Sequence, residues 1–74
     1  MYEIYTAQYC GWCQRAKALL RQQGHEFNEL DVTDDRALQE QMIERTGKKT
    51  VPQIFHGDDY IGGYEALVQS LGRS

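Results

Sequence analysis

The two cysteines of this 74-residue chain lie three positions apart, at Cys10 and Cys13, and the chain has no others. A strand-like run, residues 2–6, precedes the pair, and a helix-like run begins at Arg15. A Cys-x-x-Cys pair placed between a strand and a helix is typical of thiol redox centres. This pair therefore constrains the fold and the function of the chain more than any other feature.

The position of the pair predicts different roles for its two members. Cys10 is expected at the N-terminus of the first helix, where unpaired N–H groups and the helix dipole stabilise a thiolate. Cys13 lies about one turn later, closer to the helix interior. We therefore predict that Cys10 is the nucleophile, and that Cys13 resolves the mixed disulfide into an intramolecular one.

A Cys-x-x-Cys pair can also be half of a four-ligand zinc site. The second half is missing here, because His25 and His56 lie far apart in the sequence and show no ligand spacing. The pattern favours redox chemistry over metal binding. Trp12, the only tryptophan, stands between the cysteines, where it can offer an aromatic wall to a peptide-like thiol ligand.

Composition and charge exclude several function classes. The net charge is −3, whereas nucleic-acid or anionic-membrane partners require a basic surface. No apolar run approaches the roughly 20 residues of a membrane span, and we expect no signal peptide, because no basic stretch followed by an apolar run stands before the first strand. We therefore expect a cytoplasmic protein with no nucleic-acid or membrane partner. At this length we expect a single domain over residues 1–74.

Hydrophobic spacing and turn residues predict seven elements in the order β-α-β-α-β-β-α. The predicted strands cover residues 2–6, 26–32, 50–56 and 60–61, and the first should be buried on both faces. The first strand, first helix and second strand form a βαβ unit with parallel strands. The last two strands form a hairpin. The alternation of strands and helices in the rest of the chain places the fold in the α/β class.

The predicted helices carry recognisable ends. The first helix packs through Ala16 and Leu20, exposes Lys17 and ends at Gly24. The second is capped near Asp35 and ends at Gly47.

The last helix is short and follows the Gly62-Gly63 pair. Its predicted inner side carries Leu67, Val68 and Leu71. We expect the second and last helices to contribute packing to the core.

Taken together, these motifs resemble those of glutaredoxins of the dithiol type, within the thioredoxin superfamily. The resemblance runs from about Tyr2 to Leu71 and includes residues 15–20, 50–55 and 61–63. It implies a thioredoxin-like fold with a four-stranded mixed sheet in the order 2-1-3-4. It also implies helices one and three on one face, helix two on the other, and a cis Val51–Pro52 bond.

The same resemblance implies a binding site for glutathione as co-substrate. The residue before the proline pairs with the backbone of glutathione's cysteine, and the last helix N-terminus receives the γ-glutamyl carboxylate. Lys48 or Lys49 could reach the glycyl carboxylate, although both also fit a solvated turn. The expected contacts are Trp12, Lys48, Lys49, Thr50, Val51, Pro52, Gly63, Tyr64 and Glu65.

Three positions depart from the pattern of the family. Ala7 stands where many glutaredoxins have a lysine, and Ala66 stands where many have an acid. The residues between the cysteines are Gly11 and Trp12 instead of Pro-Tyr. Loss of two charged contacts, at about 0.5–1 kcal/mol each, predicts roughly five- to thirtyfold weaker glutathione binding.

The function that follows is glutathione-dependent reduction of protein disulfides and glutathione mixed disulfides by a monomer. One alternative is a [2Fe–2S] carrier, in which Cys10 of each of two chains and two glutathiones hold the cluster; otherwise no metal is expected. Gly11 permits this alternative, because a small residue in place of the motif proline occurs in family members that bind a cluster. A second alternative is a donor to ribonucleotide reductase fed by thioredoxin reductase. The stretch Tyr60–Glu65 lacks the tail motif of such donors, which argues against it.

Overall fold

The computed structural model describes residues 1–72 and confirms the predicted order of elements. The seven elements are β1 (Tyr2–Thr6), α1 (Gly11–Gln22), β2 (Phe27–Asp31), α2 (Arg36–Thr46), β3 (Gln53–His56), β4 (Asp59–Gly62) and α3 (Tyr64–Gly72).

The four strands form one mixed sheet in the order β2-β1-β3-β4, as predicted. β1 is parallel to β2 and antiparallel to β3, and β4 pairs antiparallel with β3. The parallel pair requires a crossover connection, which α1 supplies. The carboxyl end of β1 therefore leads directly into the loop that carries Cys10.

Each face of the sheet is covered by helices. Ile4 and Ile54 pack on one side against Leu20 of α1 and Leu67 of α3. On the other side Tyr5, Phe55 and Val32 pack against Met42 of α2. This is the predicted thioredoxin-like arrangement, with both faces of β1 buried.

The helix ends follow their capping residues. The Asp35 carboxylate accepts a hydrogen bond from the Leu38 N–H at 3.0 Å and starts α2. Gly47 ends α2 at φ 72° and Gly24 follows α1 at φ 77°, a region that favours glycine. α1 begins at Gly11, earlier than the Arg15 start that its apolar spacing indicated, because Cys10 caps the helix with its sulfur.

Lys17 is buried, which corrects the prediction that it lies on the surface. Its alkyl chain is covered, and its ammonium group donates a 2.8 Å hydrogen bond to Glu29 Oε2 on β2. The Thr6 hydroxyl donates to the same oxygen at 2.7 Å. A lysine can be buried in this way when its charge meets a counter-charge.

Two further features differ from the sequence prediction, namely the exposure of Val68 and the start of β3. Val68 is 42% exposed and does not share the inner side of α3. Tyr64, Leu67 and Leu71 have the i, i+3, i+7 spacing of the packed stripe, and Val68 is rotated away from it. β3 begins at Gln53 rather than at residue 50, because residues 50–52 form the loop that contains the cis proline.

Candidate active site

Cys10 caps the first helix through its own side chain. Its backbone is extended, and its sulfur accepts a hydrogen bond from the Cys13 N–H at 3.0 Å. The structure shows Cys10 and Cys13 joined by a disulfide, with their Cα atoms 5.1 Å apart. A thiolate at Cys10 would keep the same N–H donor and the favourable end of the helix dipole.

The two sulfurs differ in accessibility. Cys13 is fully buried beneath the first turn of α1, whereas Cys10 is only partly covered. An incoming thiol or disulfide can therefore approach Cys10 and not Cys13. This difference matches the predicted roles of nucleophile and resolving cysteine.

The Val51–Pro52 loop lies opposite Cys10. The peptide bond is cis, as the resemblance implied. The Val51 carbonyl oxygen lies 3.6 Å from the Cys10 sulfur, a distance at which a reduced thiol could donate to it. Because β3 begins only at Gln53, Val51 lies outside the strand and beside the open cleft.

A cleft of about 470 Å³ extends from this loop between α1 and α3. Trp12 forms one wall, with its ring 5.3 Å from the ring of Tyr64 and the Arg15 guanidinium 4.8 Å from its centroid. The structure brings eight of the nine predicted contacts together here: Trp12, Lys48, Thr50, Val51, Pro52, Gly63, Tyr64 and Glu65.

Lys49 lies outside this cleft. It borders a separate hollow of about 330 Å³ on the α2 side of the loop, together with Ala7 and Met42. Lys48 and Lys49 therefore border different spaces although they are neighbours in the chain. Val51 borders both spaces, so the loop separates them. Lys48 is therefore the lysine placed to meet a ligand in the cleft.

The start of α3 forms the far end of the cleft. Gly63 lies against the Pro52 carbonyl, to which an added Cβ would be 3.7 Å distant. The Gly63 carbonyl accepts from the Leu67 N–H, so the helix begins directly after it. The first N–H groups of a helix have no partner within it, which makes this end a place for an anion.

Among residues 1–72, three side chains have clearly shifted pKa values, and all three lie away from the cleft. The Lys17 hydrogen bond is the main cause that lowers the pKa of Glu29. The Thr33 hydroxyl likewise lowers the pKa of the exposed Asp31. A hydrogen bond to Tyr5 raises the pKa of Arg45. These groups stabilise the fold and do not line the ligand site.

Sequence reasoning missed Gln53. This side chain is 3% exposed and lines the cleft, and its amide nitrogen donates to the Thr50 carbonyl at 2.9 Å. The available signal was weak, because Gln53 appears in the sequence only as one polar residue in an apolar strand. Its contacts with the loop and with β4 depend on the folded hairpin.

The site combines a partly exposed cysteine at a helix start, a buried cysteine one turn later and a cis-proline loop that faces them. On a thioredoxin-like fold, this combination defines a thiol–disulfide oxidoreductase. The glutaredoxin family model matches residues 2–61. The chain belongs to the glutaredoxin family.

The relatives agree in sequence and in structure. Glutaredoxin 3 of Escherichia coli K12 is 49% identical over 65 residues, which cover 88% of this chain and 78% of that one. The solution structure of a glutaredoxin from Brucella melitensis is 42% identical with a TM-score of 0.82, covering 99% of this chain and 79% of that one. The crystal structure of the buckwheat glutaredoxin–glutathione complex has a TM-score of 0.84 at 28% identity, and the match covers 96% of this chain and 67% of that one.

Within residues 1–72, no three His, Cys, Asp or Glu side chains come together in a way that could hold a metal ion. In the same part of the chain, no helix combines the length and the apolar character needed to cross a membrane.

Proposed function

We propose that this protein is a glutathione-dependent oxidoreductase that reduces glutathione mixed disulfides and protein disulfides in the cytoplasm. The observation that carries the proposal is the asymmetry of the pair, in which Cys10 is accessible and Cys13 is fully buried. The cleft beside Cys10 supports glutathione as the co-substrate. A structurally similar glutaredoxin from buckwheat forms a complex with glutathione.

The first step is attack of the Cys10 thiolate on the glutathione sulfur of a mixed disulfide. The bond between glutathione and the protein breaks, the protein sulfur leaves as a thiolate and takes a proton from solvent, and a Cys10–glutathione disulfide forms. The Cys13 N–H stabilises the Cys10 thiolate before attack. The Val51 backbone can pair with the ligand as an extended strand.

Two routes regenerate Cys10. A second glutathione thiolate can attack the bound glutathione sulfur, which releases glutathione disulfide and the Cys10 thiolate. Alternatively, the Cys13 thiolate attacks the Cys10 sulfur and expels reduced glutathione, which leaves the disulfide present in the structure. Two glutathiones then reduce that disulfide. Only the second route needs Cys13.

Charges in the cleft support binding of the two ends of glutathione. Lys48 and Thr50 line the cleft, and so do the first residues of α3. A γ-glutamyl carboxylate at the helix N-terminus and a glycyl carboxylate at Lys48 would fill the cleft between them. Trp12 and Tyr64 would cover the apolar part of the ligand.

The test compares Cys10→Ser with Cys13→Ser. Cys10→Ser should lose all exchange with a glutathione–peptide mixed disulfide. Cys13→Ser should keep that exchange and lose reduction of a protein disulfide. Equal loss of both activities in the two variants would refute the assigned roles. The cluster-carrier alternative stays a prediction, tested by the visible absorbance of protein purified without oxygen.

A further inference from the structure

A chain of hydrogen bonds links the edge of the cleft to the sheet behind it. The Gln53 amide nitrogen donates to the carbonyl oxygen of Thr50 at 2.9 Å and to its hydroxyl oxygen at 3.2 Å. The Tyr60 hydroxyl donates to the Gln53 amide oxygen. Gln53 is 3% exposed, so water does not compete freely for its amide.

The direction of this chain is fixed by chemistry. The Thr50 carbonyl can only accept a hydrogen bond, so Gln53 must turn its NH₂ group toward Thr50. The amide oxygen then faces Tyr60, whose hydroxyl must donate. Turning the amide over would place two oxygens against each other at Thr50.

This series of hydrogen bonds ends at the Thr50 hydroxyl, which can donate to a ligand in the cleft. The Thr50 hydroxyl oxygen accepts from Gln53, so its own hydrogen remains to donate elsewhere. Thr50 lines the cleft together with Lys48. A hydroxyl donor beside an ammonium group is a combination suited to a carboxylate.

Tyr60 is held in place from β4. It pairs with Phe55 across the hairpin, and the two ring centroids are 5.1 Å apart. Gln53 lies two residues before Phe55 on the same side of β3, within diagonal reach of the Tyr60 hydroxyl. The rigid sheet can therefore fix the orientation of a loop residue.

We infer that Tyr60 and Gln53 are positioning residues that orient the Thr50 hydroxyl toward the glycyl carboxylate of the thiol ligand. This inference rests on the proposed function and adds a determinant of ligand selectivity. Removing the Tyr60 hydroxyl leaves the buried Gln53 oxygen without its donor, so the Gln53 side chain is no longer held from β4 and can shift away from Thr50. The Thr50 hydroxyl would lose its fixed direction.

The test uses Tyr60→Phe and two peptide mixed disulfides. One carries glutathione, and the other carries glutathione whose glycyl carboxylate is replaced by a carboxamide. With glutathione, KM should rise about three- to tenfold at unchanged kcat, as expected when one hydrogen bond to the carboxylate is weakened but its donor is still present. With the carboxamide, KM should change less than about twofold.

Thr50→Val should likewise raise KM for the glutathione substrate more than KM for the carboxamide substrate. The double variant Tyr60→Phe/Thr50→Val should have nearly the same KM values as Thr50→Val alone. Tyr9→Phe is the matched control, because Tyr9 is 93% exposed and its hydroxyl lies outside this chain of bonds. An equal rise of KM for both substrates in Tyr60→Phe, or an unchanged ratio of the two KM values in Thr50→Val, would refute the inference alone. Wild-type protein inactive on both substrates would refute the proposed function and the inference with it.

Discussion

The Cys10 sulfur lies 3.6 Å from the Val51 carbonyl oxygen, although 41 positions separate the two residues in the chain. The helix start holds one of these atoms and the cis-proline loop holds the other. A ligand that pairs with Val51 would therefore carry its sulfur to Cys10. This relationship links binding to chemistry at the site.

Adding a lysine at position 7 should strengthen glutathione binding. Ala7 borders the hollow on the α2 side of Val51 and not the cleft, but its carbonyl accepts the Cys10 N–H, so a long lysine side chain there would act on the thiolate and the thiol ligand at Cys10. Ala7→Lys should lower KM for a glutathione mixed disulfide about two- to fivefold at low ionic strength. The gain should shrink in salt.

Gln8→Lys is the control for that change, because it adds the same charge at the next, exposed position. It should lower KM less than Ala7→Lys does. Equal gains in the two variants would show that net charge matters and that position 7 does not contact the ligand.

The ion pair of Lys17 and Glu29 should make stability depend on pH in a defined direction. The folded state lowers the pKa of Glu29 from its ordinary value of about 4.5, mainly through the Lys17 hydrogen bond. The contribution is therefore fully present above that value and is lost as pH falls through the folded-state pKa. Glu29→Gln should cost about 0.5–1 kcal/mol at pH 7, because solvent screens the exposed Glu29 carboxylate, and less at pH 3.

Denaturant unfolding at the two pH values measures this difference. Glu26→Gln provides the control, since Glu26 is an exposed carboxylate just before the same strand. A cost for Glu29→Gln that stays constant between pH 7 and pH 3 would contradict the assigned charge interaction.

Gly62 and Gly63 should tolerate alanine differently. Gly62 has φ 124°, and an added Cβ would lie 3.0 Å from the Cβ of Ala66. Gly62→Ala should destabilise the fold by about 1–3 kcal/mol, because both the backbone and the contact are strained. Gly63→Ala should cost less, since its Cβ would meet only Pro52 O at 3.7 Å. Thermal unfolding of both variants gives the comparison, and equal losses would contradict it.

Much of the fold followed from local signals in the sequence. Gly24 and Gly47 stand where the helices end, and Asp35 caps the second helix as its residue type indicates. The cysteine spacing was sufficient to predict the redox pair. These features depend on a few neighbouring residues, so the sequence displays them directly.

The remaining features depend on tertiary contacts. Lys17 looks like a surface residue until β2 brings Glu29 beside it. The separation of Lys48 from Lys49 depends on the course of the loop. Gln53 gains its partners only when β4 folds back on β3. The cis bond at Val51–Pro52 was implied by the resemblance to glutaredoxins and not by local preference.

The most direct test of the account offers the protein two reducing systems on one glutathione–peptide mixed disulfide. One system is glutathione with glutathione reductase, the other is thioredoxin reductase, and NADPH consumption is followed in both. We predict turnover with glutathione, little with thioredoxin reductase alone, and none in either system for Cys10→Ser. Turnover sustained by thioredoxin reductase and not by glutathione would contradict glutathione dependence.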